Sequence, residues 1–579
     1  MSEAIQWLAD GTPFSPRFND RYHSEGGGLA QAREVFLHGC GLPGAWADQP
    51  QWRIMETGFG LGLNFLVTWA AWRADPQRPK LLHFVSIEAW PASADDLQRS
   101  FPLDPELQAL AAQLHAQWWG LTPGFHRLVF DNGQVVLTLC IGDAQAMLRE
   151  MAFEADSVYL DGFSPQRNPE IWNPYTLKAV ARCCRRGTRV ATWTIARSVR
   201  DSLAQCGFEV QKTPGVQPKR DNLQGQFNPG WEPRKAKATT TWVPSHCIVV
   251  GAGLAGAAVA ASLARRGWQV SVLDAAQTPA AGASGLPGGL LAPLVSKDDN
   301  LASRLSRSGV RSTLQQAQAL LVINQDWQPS GVQEKQADAE PLWHAHAGWI
   351  QPARLVQAWL KHPCITWQGR AQVDRLQATP EGWQALNAQG DVLAQAPLVV
   401  VAAGLASTAI TRTDMPLQAI RGQVSIGRRG AEVLPPYPVN GHGSFIPNLP
   451  TAQGRTWVMG ASYERDNAIA NTNTADHQAN WERLQVLLPS AATALQSQFE
   501  DGTVQAWAGI RCAAPDRLPL VGPIAQGLWV STAMGSRGLS FAHLCAELLA
   551  AQVHGEPWPV EKKWAAALDV RRYISGARG

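Results

Sequence analysis

The sequence predicts an α/β protein with two nucleotide-binding domains. Its 579 residues exceed what a single hydrophobic core usually supports. Two segments each show an apolar strand, a glycine-rich turn and a helix, the unit of a doubly wound parallel sheet. Between them, residues 227–246 are rich in Pro, Gly, Thr and basic residues and show no periodicity. We therefore expect one domain over residues 1–242 and a second over 243–579.

Composition indicates a folded protein of a reducing compartment. Apolar residues make up 45% of the chain and charged residues 17%, which is a globular balance. Nine cysteines without regular spacing predict neither disulfides nor a zinc site. The apolar run 247–264 is long enough for a membrane helix, but its glycines fit nucleotide binding better. The first residues show no signal-peptide pattern, so we expect a soluble, cytoplasmic protein.

Charge is distributed unevenly, although the net charge is only +3. Residues 1–177 contain 11 Lys and Arg against 20 Asp and Glu, whereas residues 178–237 contain 13 against 4. A basic stretch this concentrated indicates a polyanionic partner. A solvated surface without a partner explains the counts equally well.

The first glycine-rich turn follows a predicted strand over 53–56 and precedes a predicted helix over 64–72. Glycines let the backbone turn tightly and approach a ligand, and the turn carries Gly58, Gly60 and Gly62. A second predicted strand, 83–87, ends at Glu88, where a carboxylate can accept hydrogen bonds from ribose hydroxyls. Taken alone, Glu88 would more often be a surface carboxylate, but this order and spacing favour ligand binding.

Two later strands complete the predicted site of the first half. Residues 135–139 form a predicted strand followed by Asp143, which is suited to an adenine edge. Another apolar strand ends at Asp161, at the sheet edge where open α/β sheets place reacting groups. A turn cap is the common role of a lone Asp. A carboxylate at this edge can, however, orient an amine and take its proton, so Asp161 is the candidate base.

Four segments of the first half resemble a known family: FSPRFNDRYHS, ETGFGLGLNF, FVSIEAWP and YLDGFSPQRNPEIW. They are similar to the methyltransferase half of bifunctional tRNA 5-methylaminomethyl-2-thiouridine biosynthesis proteins. The resemblance implies a Rossmann-like domain that uses S-adenosylmethionine to methylate an aminomethyl group on the wobble uridine of tRNA. It implies that S-adenosylmethionine binds at Glu56, Gly58, Gly60, Gly62, Asn64, Glu88 and Asp143.

The family's basic turn resembles residues 215–225, GVQPKRDNLQG, in which Lys219 and Arg220 are kept and their surroundings differ. Lysine and arginine are the usual contacts to nucleic-acid phosphates. We expect tRNA contacts from Lys219, Arg220, Arg185 and Arg186.

The second half opens with a dinucleotide-binding fingerprint. A predicted strand over 247–250 precedes GAGLAG, a helix over 257–266 and a strand over 269–273 that ends at Asp274. The glycines would place a pyrophosphate on the helix N-terminus, and Asp274 would bind the ribose. The fingerprint alone does not distinguish FAD from NAD.

Four later segments are similar to the glycine oxidase and D-amino acid oxidase family: GASGLPGGLLAP, LVVVAAG, WAGIRCAAPDRLPLVGP and MGSRGLSFAHLCAELLA. The resemblance implies an FAD-binding Rossmann-type domain with a mixed α+β substrate domain. It implies that FAD binds at Gly251, Gly253, Gly256, Asp274, Ser284, Gly285, Gly535, Arg537 and Gly538.

Arg511 matches the family's substrate arginine, whose planar guanidinium fits two carboxylate oxygens. For a lone arginine a surface ion pair would be the usual role. Arg421 and Phe445 match segments that we assign to pocket shape. His344, His346 and His442 are scattered, so no metal site is expected.

The two predicted activities fit one pathway. The second domain would oxidise carboxymethylaminomethyl-uridine in tRNA and release glyoxylate, and the first would methylate the aminomethyl product. Two alternatives remain open: a fused enzyme pair that acts on free glycine or sarcosine, and a non-catalytic tRNA-binding protein with structural flavin.

Overall fold

The computed structural model describes residues 3–23, 28–101, 104–217, 219–232, 241–336 and 339–574. They group into two compact units, Met1–Thr241 with Ala551–Lys563, and Trp242–Ala550 with Trp564–Gly579. The functional bounds 1–242 and 243–579 stay a prediction. Of the predicted linker, residues 233–240 lie outside the described residues.

The first unit is built on one sheet of eight described strands. Across the sheet these are Phe208–Pro214, Asp221–Phe227, Cys184–Thr192, Ala155–Tyr159, Gln51–Glu56, Leu81–Glu88, Val135–Ile141 and Gly124–Phe130. The five from Cys184–Thr192 to Val135–Ile141 run parallel. Every residue of Val135–Ile141 is buried, as expected for a parallel strand covered on both faces.

Helices cover both faces of this sheet. They are Leu63–Ala74, Ala94–Arg99, Pro105–Ala116, Ala144–Glu150, Pro169–Trp172, Pro174–Ala181 and Arg197–Gln205. Leu63–Ala74 follows the glycine turn and buries Phe65, Trp69 and Trp72 in the main core. A π-helical segment, Gln31–Leu37, and a small sheet of Gln6–Trp7, Pro13–Ser15 and Asp20–Arg21 precede the large sheet. The predicted α/β class is confirmed for this half.

The second unit contains a six-stranded nucleotide-binding sheet. Its order is Ile365–Gln368, Gln269–Leu273, His246–Val250, Leu398–Val401, Leu528–Thr532 and Leu520–Ala525. All neighbours are parallel except the last pair. The helix Leu254–Arg265 follows the central strand, as the fingerprint predicts.

A second, largely antiparallel sheet belongs to the predicted substrate domain. Its order is Ala339–His344, Val332–Gln336, Val439–Gly441, Gly443–Thr451, Gly454–Gly460, Gln418–Arg428 and Glu464–Arg465, and Gln505–Ala513 also pairs with Gln418–Arg428. Thr474–Leu487 and Pro489–Glu500 pack on it around Trp457. The mixed α+β class is therefore confirmed.

Further elements complete this half. Small sheets form from Gly289–Leu291, Gly348–Ile350 and Trp327–Gln328, and from Arg375–Thr379, Gly382–Leu386 and Val392–Ala396. The remaining described α-helices are Leu301–Leu320, Pro352–Leu360, Ser407–Thr411, Gly538–His554 and Lys562–Leu568. The end of Gly538–His554 and the start of Lys562–Leu568 belong to the first unit.

A buried carboxylate links three parallel strands of the first unit. Asp156 accepts hydrogen bonds from Arg53 Nε at 3.0 Å and from the Arg53 backbone N–H at 2.8 Å. Arg185 Nη2 donates to the same carboxylate at 2.7 Å. Because the Asp156 side chain is only 2% exposed, its charge requires both guanidinium partners.

Replacing Asp156 by Ala should lower the free energy of unfolding of the first unit by about 3 kcal/mol, since both arginines lose a buried partner. Calorimetry of the full chain measures the loss. Asp201→Ala is the control, because Asp201 forms an exposed i,i+4 pair with Arg197 that contributes about 0.5 kcal/mol or less. Equal losses in the two variants would contradict the assignment.

Candidate active sites

The first unit has a cavity of about 1670 Å³ at the carboxyl ends of its parallel strands. Most of the residues predicted from the sequence line it, namely Gly58, Gly60, Asn64, Glu88, Asp143 and Asp161. The strands deliver these side chains to one edge because parallel neighbours end together.

The glycine turn is packed too closely for side chains. A Cβ on Gly58 would lie 3.1 Å from the Asp161 carbonyl oxygen, and Gly60 has a φ of +55°. The Gly60 N–H donates to Glu88 Oε2 at 2.9 Å, and the Trp90 N–H donates to Oε1 at 2.9 Å. Burial raises the pKa of Glu88 to about 7. Glu88 therefore both shapes the turn and faces the cavity.

Glu56 and Gly62 are not among the residues that line the cavity. Glu56 is fully buried, and a Cβ on Gly62 would lie 2.8 Å from the Phe59 ring. Their positions favour support of the turn over direct ligand contact.

Asp161 is held by three donors. Asn64 Nδ2 donates to Oδ2 at 2.8 Å, while the Gly162 N–H and Trp193 Nε1 donate to Oδ1 at 2.8 and 3.1 Å. Burial raises the pKa of Asp161 to about 6, against the lowering effect of these hydrogen bonds and of the Lys219 charge. The carboxylate is thus fixed in orientation and is basic enough to exchange a proton near neutrality.

Asn64 connects two carboxyl groups. Its Nδ2 also donates to Glu56 Oε1 at 2.8 Å, and Ser86 Oγ donates to Glu56 Oε2 at 2.6 Å. Burial and, to a smaller extent, the nearby Asp161 charge raise the pKa of Glu56 to about 8. Glu56 therefore acts on the cavity through Asn64.

The four predicted phosphate contacts have different surroundings. Arg185 pairs with Asp156. Arg186 donates from Nη1 to Asn228 Oδ1 and to the Pro229 carbonyl oxygen, both at 2.9 Å. Arg220 is exposed. Lys219 lines the cavity, and its ammonium lies 3.1 Å from the centroid of the Trp193 ring.

Sequence reasoning overlooked Trp193, which also lines the cavity. It lies just after the strand Cys184–Thr192, next to the strand that leads to Asp161. This strand-end position is the signal that could have identified it.

Glu56→Gln should stabilise the first unit at high pH. The pKa of Glu56 is raised in the folded state, so folding binds a proton and stability falls as the pH rises from about 4.5 to about 8. Glutamine keeps an acceptor for Asn64 without the buried charge. We expect a melting temperature about 2–4 °C higher at pH 8 and little change at pH 5.

Melting curves of the full chain from pH 5 to 8.5 measure this effect. The control is Glu106→Gln at an exposed carboxylate, which should alter the pH dependence little. A melting temperature for Glu56→Gln that is lower than wild type at pH 8 would refute the electrostatic account.

The second unit has a cavity of about 930 Å³ beside its nucleotide-binding sheet. Its lining includes most of the predicted dinucleotide contacts and the predicted substrate arginine: Gly251, Gly253, Asp274, Ser284, Gly535, Arg537, Gly538 and Arg511.

In the fingerprint turn, which we call the cradle, glycine stands where the backbone approaches its neighbours most closely. Gly251 has a φ of +109°, and a Cβ there would lie 2.6 Å from the Ala402 carbonyl oxygen. Ser284 Oγ accepts a hydrogen bond from the Leu254 N–H at 2.9 Å at the start of the helix. Asp274 accepts from the Ala252 and Ala276 N–H groups at 2.5 and 2.8 Å. This arrangement fits a pyrophosphate at the helix N-terminus and a ribose at Asp274.

Two predicted contacts serve backbone packing and are not among the lining residues. A Cβ on Gly256 would collide with the Gly251 carbonyl oxygen, and one on Gly285 would lie 2.8 Å from the Ala280 carbonyl oxygen. Gly256 and Gly285 therefore support the turn without lining the cavity.

Arg511 lies on the strand Gln505–Ala513 and lines the cavity. Its Nη1 donates to the Ser462 carbonyl oxygen at 3.3 Å, and its Cζ lies 6.0 Å from the centroid of the Tyr463 ring. Burial lowers its pKa, yet among the described residues it forms no ion pair with a carboxylate. A partly buried guanidinium with this surplus of donors suits an anionic ligand.

Arg421 and Phe445 do not shape this cavity, contrary to our assignment. Arg421 is fully buried and pairs with Asp476 at 2.6 Å and Glu464 at 3.5 Å. Phe445 lies in the core around Trp457. Alternation along each strand turns both away from their cavity-lining neighbours Gly422 and Ser444.

The histidines have ordinary surroundings. His344 Nε2 lies 2.7 Å from Glu334 Oε2. Over the described ranges, no group of three or more His, Cys, Asp or Glu side chains is arranged to hold a metal ion.

Comparison with known proteins gives matches in both halves. Residues 105–228 match an S-adenosyl-L-methionine-dependent methyltransferase family, and 246–333 and 333–552 match an FAD dependent oxidoreductase family. A tRNA 5-methylaminomethyl-2-thiouridine biosynthesis bifunctional protein from Polaromonas naphthalenivorans is 60% identical, covering 98% of each chain. The chain belongs to this bifunctional family. A family member from Ralstonia nicotianae is 38% identical over 98% of this chain and 97% of its own.

Membership makes the chain a bifunctional enzyme that uses S-adenosylmethionine and FAD. A crystal structure of glycine oxidase from Geobacillus kaustophilus matches 57% of this chain and 99% of its own, with 17% identity and a TM-score of 0.47. Among the described helices, none has both the length and the apolar character needed to cross a bilayer.

Gly251→Ala should reduce FAD binding at least about tenfold, because the new Cβ would displace the backbone of the cradle. FAD content and affinity of the purified full chain are the measurements. Gly502→Ala is the matched control: Gly502 also has a positive φ, +71°, but nothing lies within 4 Å of its Cβ position. Equal FAD content in both variants would contradict the steric role of Gly251.

Proposed function

We propose that the two units modify the same wobble uridine of tRNA in succession. The second unit removes the carboxymethyl group of carboxymethylaminomethyl(-2-thio)uridine, and the first methylates the aminomethyl product. The names of the relatives support tRNA 5-methylaminomethyl-2-thiouridine biosynthesis as the pathway. We place this reaction in the cytoplasm, where its tRNA substrate occurs.

The oxidation requires a fixed substrate carboxylate, and Arg511 can bind it. The guanidinium offers paired donors to two carboxylate oxygens, and its partial burial strengthens the contact by excluding water. Binding at Arg511 holds the neighbouring C–H bond in one orientation. FAD, when bound, supplies the two-electron acceptor that converts the substrate amine to an imine, which water hydrolyses to glyoxylate and the aminomethyl group.

The methylation requires a neutral amine, and Asp161 can produce it. The donors Asn64 and Trp193 fix both carboxylate oxygens, so the carboxylate holds the incoming ammonium in one position. Asp161 takes a proton from the ammonium, and the neutral nitrogen then attacks the methyl group of S-adenosylmethionine, whose S–CH3 bond breaks to release S-adenosylhomocysteine. We propose that Gly58, Gly60, Glu88 and Asp143 bind S-adenosylmethionine, because they line the same cavity.

One observation carries this proposal: each cavity contains the charged group that its half-reaction needs. The cavity with the glycine cradle contains a cation, Arg511, and no lining carboxylate pairs with it among the described residues. The other contains the oriented carboxylate Asp161. The product of the first reaction has lost its carboxylate and retains its amine, so the order of reactions follows.

The two half-reactions should separate in variants. In cells that lack the wild-type protein, Arg511→Met should accumulate carboxymethylaminomethyl-uridine in tRNA, because the substrate carboxylate loses its partner. Asp161→Asn should accumulate aminomethyl-uridine, with methylation slowed about 10²–10⁴-fold, the contribution of a general base. Nucleoside mass spectrometry of purified tRNA distinguishes these intermediates.

Wild-type complementation is the control for this experiment. An unchanged nucleoside profile in both variants would reject the proposal in favour of a non-catalytic role. Faster turnover of free glycine or sarcosine than of tRNA would reject it in favour of small-molecule substrates.

A further inference from the structure

The position of Lys219 was not expected from its sequence context. It belongs to a basic turn, yet it lines the cavity of the first unit with Asp161. Its ammonium lies over the Trp193 ring, 3.1 Å from the centroid. The indole N–H of Trp193 in turn donates to Asp161 Oδ1 at 3.1 Å. The three side chains thus form a continuous set: ammonium, indole and carboxylate.

The turn itself fixes Lys219. The Gly215 N–H donates to the Arg220 carbonyl oxygen at 2.8 Å, and the Lys219 N–H donates to the Val216 carbonyl oxygen at 2.9 Å. A Cβ on Gly215 would lie 2.5 Å from the Lys219 carbonyl oxygen. The closed backbone and the aromatic ring together restrict the ammonium to the cavity.

We propose that Lys219, held over Trp193, is a positioning residue for methyl transfer whose ammonium charge stabilises the Asp161 carboxylate. This inference rests on the proposed function of Asp161. It replaces the expectation that Lys219 contacts a tRNA phosphate, a role left to the exposed neighbour Arg220.

The burial of Asp161 shows why a cation is needed. Burial favours a proton on Asp161, whereas the Lys219 charge lowers its pKa. Glu56 contacts Asn64, and Glu88 lies on the same cavity, but their own raised pKa values keep both largely protonated near pH 6. Asp20 is the other carboxylate that acts on Lys219.

There is a pH range in which Asp161 and Lys219 are both charged. The pKa of Asp161 is raised by burial to about 6, and the pKa of Lys219 is lowered by burial to about 8. Between these values the pair consists of a carboxylate and an ammonium. Loss of the Lys219 charge should therefore have its largest effect at pH 6 and below, because Asp161 would then become protonated. At pH 8 the effect should be small.

The test is the pH dependence of methylation by the full-length protein, with aminomethyl-uridine tRNA and S-adenosylmethionine as substrates. For Lys219→Met, the acidic limb of the pH profile of kcat/KM should move upward by about one pH unit, with a loss of about fivefold at pH 6, about tenfold at pH 5 and almost none at pH 8. Because the tRNA amine is common to all variants, a difference between variants reports on the enzyme.

Three further variants separate charge from structure. Lys219→Arg should restore the limb, since it retains the cation over Trp193. Trp193→Phe keeps an aromatic face but removes the donor to Asp161, and it should shift the limb in the same direction. Arg220→Met should reduce the salt dependence of tRNA binding without moving the limb.

The outcomes distinguish this inference from the proposed function. A wild-type protein that methylates no tRNA refutes the proposed function itself. If wild type is active, and Lys219→Met reduces activity equally at every pH or weakens tRNA binding with the limb in place, the inference is overturned. If Lys219→Met does not fold, Lys219→Gln takes its place, and a limb that stays where it is in that variant overturns the inference.

Discussion

Close backbone approach at the ends of parallel strands is the constraint on which both sites depend. In the first unit, Gly58 lies against the Asp161 backbone, and in the second, Gly251 lies against the Ala402 backbone. A side chain at either glycine would push the strand ends apart. Without side chains, backbone N–H groups and strand-end carboxylates border an open cavity. Substrate recognition is then left to the groups around each cavity.

Three acidic side chains lie in or next to the first cavity. Glu56, Glu88 and Asp161 all have raised pKa values, because burial disfavours the charged carboxylate. Hydrogen bonds from Asn64, Ser86 and Trp193 compensate for part of that cost. Asp161 is therefore a base of fixed orientation whose pKa is only moderately raised, as a general base near neutral pH requires.

In the second cavity the candidate substrate-binding group is a cation, Arg511. Its guanidinium is partly buried, and the Ser462 carbonyl oxygen accepts one of its hydrogen bonds. An anionic substrate group would supply the missing charge. The buried Arg421, in contrast, already forms ion pairs with Asp476 and Glu464. Two arginines from one protein region thus have different roles, because one has carboxylate partners and the other does not.

The sequence by itself determined the elements whose signals are local. Glycine turns, strand-end carboxylates and apolar strands predicted the two nucleotide-binding sheets and Asp161, which follows the strand Ala155–Tyr159. Arg511, on the strand Gln505–Ala513 of the substrate-domain sheet, was found through the family resemblance. Wider motifs supplied the resemblance that identified FAD. These signals depend on neighbours a few residues apart, which a sequence displays directly.

Only the tertiary structure decided how distant groups combine. In the structure, Arg185 pairs with Asp156, and Arg421 lies outside the cavity of the second unit. Lys219 lies over Trp193 beside Asp161. The basic stretch 178–237 looked uniform in the sequence, because a count of charged residues does not show which way each side chain points. Whether a cation faces solvent, a buried carboxylate or an aromatic ring depends on strand order and on turns that close through space, and those contacts join residues far apart in the chain.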